Sequence, residues 1–302
     1  MVEKLVKKLK DYIIKTIKKT MVSLVSSFMN SCIKQASSKQ DFAFHGKSDD
    51  KTFDYLGVAD AHGKSLNALY PTTILKNMNF SIDLQDEDFF EKIMKKTNIK
   101  ESNLVGSTLC ICKVFEDRFE FSWVGDSTGK LYKEGSCIWQ TKDHDRYNEE
   151  EQQRLEEDTD VKIITKDPLG NIILDVKVKN HSTIEMVPAK VYHFLYNNRI
   201  NFTHSLGHSG VTGSHISKDV IIREPGVSYK VICATDGLWA MICDEDNEFI
   251  NDTTKSSKDI VEFACKRWRQ EWKQECNGKI ISNGSKFPES NIDDIGVSVW
   301  YC

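Results

Sequence analysis

Apolar positions recur along this chain with two different periods, and the switches between them mark out its elements. Val2, Leu5, Val6, Leu9, Ile13 and Ile17 open the chain at roughly helical spacing, and Lys4, Lys7, Lys8, Lys10, Lys15, Lys18 and Lys19 fill much of the remaining surface. This predicts a basic amphipathic helix over 1–33, set apart from a body over 34–302. Residues 34–54 are polar, with Gly46 and the run Ser48-Asp49-Asp50-Lys51, and predict a loop. Phe53–Ala59 is a short apolar run that stops at Asp60. Between 65 and 102 the apolar residues, Phe89, Phe90, Ile93 and Met94 among them, return to helical spacing.

From 107 onward the pattern becomes β-rich. Ser107–Phe115 and Phe119–Val124 flank the turn Glu116-Asp117-Arg118, and Leu131–Trp139 follows Gly125-Asp126-Ser127. Glu149–Glu157 predicts a short charged helix, and Val161–Val187 reads as strand around a turn at Asp167-Pro168-Leu169-Gly170. Tyr229–Ala234 and Ile295–Tyr301 are buried strands, with an amphipathic helix over Ile260–Gln274 between them. Strands in hairpin succession with segregated helices predict an α+β fold.

Composition narrows the function classes. A formal net charge of -4 over 302 residues gives no field suited to nucleic acid. The nine cysteines are odd in number and no C-x-x-C pair occurs, so neither a disulfide framework nor a cysteine-rich zinc site is expected, and a reducing, cytoplasmic setting is. No stretch is long and apolar enough to span a bilayer, and the first 30 or so residues lack a secretion signal's apolar core. Two roles stay open for residues 1–33: lying on an anionic membrane as a peripheral contact, or packing on the body with the lysines in water.

Three apolar runs border an aspartate: YLGVAD ending at Asp60, VICATD ending at Asp236, and DDIGVSVW beginning at Asp293. Singly, each reads as a turn residue. Gathered at one place, the three carboxylates would repel unless cations neutralised them. Oxygen donors without a His–Cys set favour Mg²⁺ or Mn²⁺ over zinc, and two such ions would activate water and clamp a phosphoryl group.

The local text resembles the metal-dependent Ser/Thr protein phosphatases of type 2C, the PPM family. YLGVADAHGK is similar to the family's strand followed by D-G-H-G-G, and Gly106-Ser107-Thr108 with WVGDS at 123–127 to its G-S-T and G-D-S segments. DHDRYNEEEQQRL at 143–155, SLG at 205–207, ATDGLW at 234–239 and DDIGVSVW at 293–300 follow in the family's order. The resemblance implies a four-layer α-β-β-α sandwich of two antiparallel sheets flanked by helices. It implies phosphoserine and phosphothreonine hydrolysis in protein substrates by direct attack of a metal-bound hydroxide at a binuclear centre. Asp60 would bridge two Mg²⁺ or Mn²⁺ ions, the Ala61 carbonyl would ligate one of them, and Asp236 and Asp293 would hold the other. His62 would be the general acid, and Asp126 would match an auxiliary third-metal position. Gln40-Asp41 would match an acidic pair on the first strand. A monomer acting on a phosphoprotein is expected, with no nucleic-acid partner.

Several residues depart from the family pattern. No arginine precedes Arg118, so the phosphate-gripping arginine expected near Ala36 is missing; Lys34 or Lys39 could replace its charge but not its bidentate fork. Ala61 and Lys64 replace two glycines, Ala240 replaces the second aspartate of D-G-L-W-D, and His208 replaces the aspartate of A-L-G-D. These weaken the auxiliary metal site and leave a catalytically quiet relative, a binding or regulatory module, as the alternative. A zinc hydrolase built on His204, His208 and His215 is a third reading, although the intervening residues do not give H-E-x-x-H.

Overall fold

The computed structural model describes residues 27–35, 40–63, 70–98, 105–157, 161–167, 169–194, 198–200, 202–208 and 215–302. Two five-stranded sheets form its centre. The first runs β1 (Phe28–Lys34), β20 (Ile295–Tyr301), β17 (Tyr229–Ala234), β8 (Thr128–Lys133), β9 (Ser136–Gln140). The second runs β16 (Ser217–Ile222), β7 (Arg118–Val124), β6 (Leu109–Val114), β3 (Asp54–Ala59), β2 (Phe42–Lys47), and every pairing in both sheets is antiparallel.

The period of two in the sequence sorts side chains among three apolar layers. Leu56 and Val58 of β3, Cys110 and Cys112 of β6, and Val231 and Cys233 of β17 meet between the sheets. Tyr55, Ala59, Leu109 and Ile111 face outward from the second sheet, against Leu75 of α1 (Tyr70–Lys76), Phe80 of α2 (Phe80–Asp83) and Phe89, Phe90 and Ile93 of α3 (Phe89–Thr97). Ile232, Ala234, Val297 and Val299 face outward from the first sheet. They pack on Leu238 of α5 (Asp236–Trp239), Ile250 of α6 (Asn247–Asn251) and Ile260, Val261 and Ala264 of α7 (Ser257–Arg269). The architecture is the α-β-β-α sandwich that the motifs implied. Further strands flank it. β15 (Leu206–Gly207), β5 (Val105–Ser107) and β4 (Ala61–Gly63) form a small sheet at one end. β11 (Leu174–Val178), β12 (Thr183–Pro188), β18 (Trp272–Cys276) and β19 (Lys279–Ser285) form another, and β10 (Val161–Ile164), β13 (Val191–Phe194) and β14 (Asn198–Ile200) a third. α4 (Glu149–Glu156) stands ahead of that insert, its N-cap Asn148 accepting the Glu150 N–H.

Three local expectations are corrected. Residues 1–26 of the basic segment lie outside the described residues, but the helix expected to reach 33 gives way to β1, because Phe28–Lys34 pairs in register with Tyr301–Ile295 and so satisfies the edge of β20. The polar stretch 34–54 contains β2, whose Phe44 stacks on Phe80 at 4.0 Å. The helix predicted over 260–274 stops at Arg269, and Trp272–Cys276 is strand. Trp268 and Trp272 both enter the same core, so the helical period runs on across the break. Among the described residues no helix is long and apolar enough to cross a membrane.

One polar group joins the two sheets through the apolar layer between them. Ser298 of β20 is fully buried, and its hydroxyl reaches Gly57 O at 2.8 Å and Phe44 O at 3.1 Å on the opposite sheet. Gly57 has no room for a side chain on the sheet's other face, since a Cβ there would lie 2.7 Å from Cys110 O and against the Phe44 ring. Gly57→Ala is therefore expected to lower stability by about 1–3 kcal/mol through overpacking, and Ser298→Ala by about 1 kcal/mol. Urea denaturation of both variants checks this, and a neutral Gly57→Ala would show that the outer face of the second sheet is less closely packed than described.

Candidate metal centre

The aspartates picked out along the sequence come together at one end of the sandwich. β17 ends and β20 begins at that end, so the register Ala234↔Val297 brings Asp236 and Asp293 to the same rim, where a Cβ on Gly237 would lie 3.3 Å from that of Asp293. Asp60 arrives from the other sheet, at the point where β3 passes into β4. Its backbone is fixed twice by the G-S-T segment: Asp60 N–H donates to Thr108 Oγ1 at 2.9 Å, and Thr108 N–H donates to Asp60 O at 2.8 Å. Thr108 Oγ1 in turn lies 2.5 Å from Ser127 Oγ, which ties in the G-D-S turn carrying Asp126. Gly125 opens that turn at φ 89°, where a side chain would strike Thr108.

Thr235 organises the other side. Its N–H donates to Gly296 O at 3.0 Å, its hydroxyl accepts from Gly296 N–H at 2.9 Å, and the same hydroxyl donates to Asp41 Oδ2 at 2.7 Å. Gly237 is needed because a Cβ there would run into the Asp294 carbonyl oxygen, and its own carbonyl accepts from Trp268 Nε1 at 2.8 Å. Asp294 is buried, and Gln40 N–H donates to its Oδ2 at 2.5 Å. Asp41 and Asp294 thus belong to the site. The first was glimpsed in Gln40-Asp41, and the second was hidden as a mere strand entry.

The electrostatics are those of carboxylates forced together. Burial, then the charges of Asp236, Asp293 and Asp126, push Asp60 well above the usual carboxylate range. Burial, then Asp126, raises Asp236 to about 6, and burial, then Asp236, raises Asp293 to about 7. Burial raises Asp126 to about 6 against the opposing pull of His62, and burial, then Asp60, raises Asp41 well above its usual range. Asp41 Oδ1, Asp126 Oδ1 and Asp236 Oδ1 are buried without a hydrogen-bond partner. Unsatisfied anionic oxygens facing one another are the donor set a hard divalent cation requires.

His62 Nε2 stands 3.2 Å from Asp60 Oδ2, and its ring lies against Phe202 at 4.4 Å between centroids. Phe202 carried no motif; the apolar residue just ahead of His204-Ser205-Leu206-Gly207 was the only available signal. The Ala61 substitution is benign. Thr108 N–H bonding to Asp60 O makes Ala61 and Ser107 a non-hydrogen-bonded pair, so the Ala61 carbonyl is directed away from β5. Ala61 has no left-handed φ, whereas Gly63 at φ 141° keeps the glycine that the turn needs.

The histidines at 204, 208 and 215 do not form a zinc centre. His204 Nδ1 accepts from His215 N–H at 3.2 Å, and its Nε2 meets Glu151 Oε2 at 3.3 Å. His208 instead turns to the other side, its ring 5.6 Å from Phe202 and 6.5 Å from His62. Glu151 and Arg154, the acid and arginine of the 143–155 segment, pair at 3.0 Å on α4. His144 accepts from Gly125 N–H at 3.2 Å and so braces the Asp126 turn. A separate set of side chains, His181, Cys243 and Glu245, places its donor atoms within 4.8 Å of one another and shares no residue with the aspartates.

Comparison with known proteins agrees with this geometry. The family model for protein phosphatase 2C matches residues 22–161, just under half of the chain. The S. agalactiae serine/threonine phosphatase superposes with a TM-score of 0.55 at 16% identity, covering 91% of this chain and 99% of that one. The serine/threonine phosphatase Stp1 of Staphylococcus aureus gives 0.54 at 12% identity, covering 92% and 96%. A C. elegans sex determining protein gives 0.55 at 15% identity, covering 91% of this chain and 64% of that one. No curated protein sequence matches. The fold is therefore the one shared by these phosphatase structures, and the segment 22–161 is similar to the protein phosphatase 2C family.

Because the folded state holds protons on these carboxyls that the unfolded chain releases, stability without divalent ions should fall as pH rises from about 4 through 7. Mn²⁺ or Mg²⁺ displaces those protons, so its stabilising effect should grow over the same interval. Melting temperatures with Mn²⁺ and with chelator, at pH 5 and pH 8, test this. An ion effect as large in Asp60→Asn as in the parent would refute it.

Proposed function

We propose that this chain is a metal-dependent phosphatase acting on phosphoserine and phosphothreonine in proteins. The observation that carries the reading is the convergence of Asp60, Asp236, Asp293 and Asp126 beside His62 at one end of the sandwich. Asp60, Asp236 and Asp293, with the Ala61 carbonyl, would hold two ions, Mg²⁺ or Mn²⁺, and Asp126 contributes to an auxiliary position. Ions bound there activate water and offset the charge on the phosphoryl oxygens.

The chain's own residues supply placement and a proton. His62 is steadied on one side by Asp60 Oδ2 and on the other by the Phe202 ring, which orients its imidazole to protonate the departing serine or threonine oxygen. Phe202 and His208 wall off the inner side of the ring from water. Nine free cysteines accord with an intracellular, reducing compartment.

A second reading is a quiet relative that binds ions without turnover. Ala240 ends α5 with an exposed methyl where an acid would serve an auxiliary ion. Lys34, opposite Ile295 on the edge strand of the first sheet, brings a point charge near Cys265 of α7 and has no bidentate fork to grip a phosphoryl group.

Phosphate release from a phosphopeptide in Mn²⁺ separates the two. The enzyme reading expects turnover that chelator or Asp60→Asn abolishes. His62→Gln should lower kcat by about 10²–10⁴ on an alkyl phosphate ester, and far less on p-nitrophenyl phosphate, whose leaving group needs no proton. Stabilisation by Mn²⁺ with no phosphate release would overturn the enzyme and favour the quiet relative.

A further inference from the structure

We propose that His181, Cys243 and Glu245 form a second cation site, selective for a borderline-soft divalent ion of the zinc class. The three residues come from two separate segments. His181 sits in the turn between β11 and β12, and Cys243 and Glu245 flank the start of the 3-10 turn Asp244–Asp246. One donor atom from each lies within 4.8 Å of the other two. Imidazole nitrogen, thiolate sulfur and carboxylate oxygen together suit zinc and suit Mg²⁺ poorly. Ligand softness would therefore sort ions between this site and the all-oxygen aspartate centre.

Both ligand-bearing segments are held in place by groups that need not themselves bind an ion. Gln270 Nε2 donates to His181 O at 2.7 Å, and Ser182 N–H closes an Asx turn on Asn180 Oδ1 at 2.9 Å. Asp246 Oδ2 accepts from both the Cys243 N–H, at 2.9 Å, and its Sγ, at 3.2 Å. Asp246 Oδ1 stands 3.0 Å from His181 Nε2 and takes Arg267 Nη1 at 2.8 Å. Arg267 Nη2 reaches Asn180 O at 3.2 Å and comes within 3.8 Å of Cys243 Sγ. Asp246, itself held by Arg267, thus draws the His181 and Cys243 side chains toward one point beside Glu245.

The charges also close. Zn²⁺ would displace the thiol proton that Cys243 Sγ donates to Asp246 Oδ2 into water; the thiolate and the Glu245 carboxylate then balance a divalent ion, while Asp246 is balanced by Arg267. Cys243 is buried, whereas His181 and Glu245 are exposed, so the ion would be open to water on its outer side. Its effect would be to clamp the β11–β12 turn to the segment that follows α5, the helix that begins at Asp236.

The test uses the full chain in saturating Mg²⁺, which occupies the aspartate centre, with Zn²⁺ titrated against a chromophoric chelator. One equivalent of Zn²⁺ is expected, with a rise in melting temperature. Cys243→Ser and His181→Asn should each weaken binding at least about tenfold, whereas Cys137→Ser, at an exposed cysteine elsewhere, and Asp60→Asn should leave it unchanged. With Co²⁺, thiolate-to-metal charge-transfer absorption should appear in the parent and be missing in Cys243→Ser. His181 is exposed, so His181→Asn remains informative if Cys243→Ser folds poorly. No stoichiometric Zn²⁺ binding, or parent-like binding in His181→Asn, would overturn the proposal.

Discussion

Mutual repulsion among the carboxylates at the end of the sandwich is the constraint to which the rest of the structure answers. Asp236 follows β17 and Asp293 precedes β20, two paired strands, so neither carboxylate can withdraw far without breaking β17 from β20. Asp60 is equally confined, because Thr108 holds both its N–H and its carbonyl. The Ser298 bridge keeps the opposing sheet from backing away. With geometry fixed from three directions, the charge must be met chemically, by protons or by cations. The raised proton affinities of Asp60, Asp236 and Asp293 are the first of these answers.

Much of this was legible along the chain, for a definite reason. Buried strands read as apolar runs, and a functional aspartate at a strand end interrupts the run abruptly, as at Asp60 and Asp236. Features that depend on one residue meeting another far along the sequence were less visible. Asp294 is set apart from an ordinary turn acid by contacts such as the Gln40 N–H, and Phe202 by the His62 ring that rests on it. β2 was lost because Gly46 and its charged neighbours dilute a six-residue alternation. The end of α7 was overrun because Trp272, now on a strand, fills the same core as Trp268.

The departures from the family text divide by backbone demand. Ala61 needs only its carbonyl, which any residue supplies, and Gly63 keeps the left-handed conformation. His208 takes φ 46° just after Gly207, an uncommon state for a non-glycine residue, and brings a second imidazole to the wall beside His62. Substitution there changed the chemistry of the wall and left the chain path intact. Ala240, by contrast, removes a side chain whose value would have been its charge.

β1 and β20 lie next to each other although they stand at opposite ends of the described chain. A ribosome therefore releases the first strand of this sheet long before the strand it pairs with exists. Until translation has passed residue 301, β1 and β17 lack the strand that lies between them, Asp293 has no fixed position, and the apolar faces of the first sheet stay uncovered. Assembly of the acidic cleft thus waits on the synthesis of β20, and the half-sandwich left exposed until then is the species that chaperones would meet.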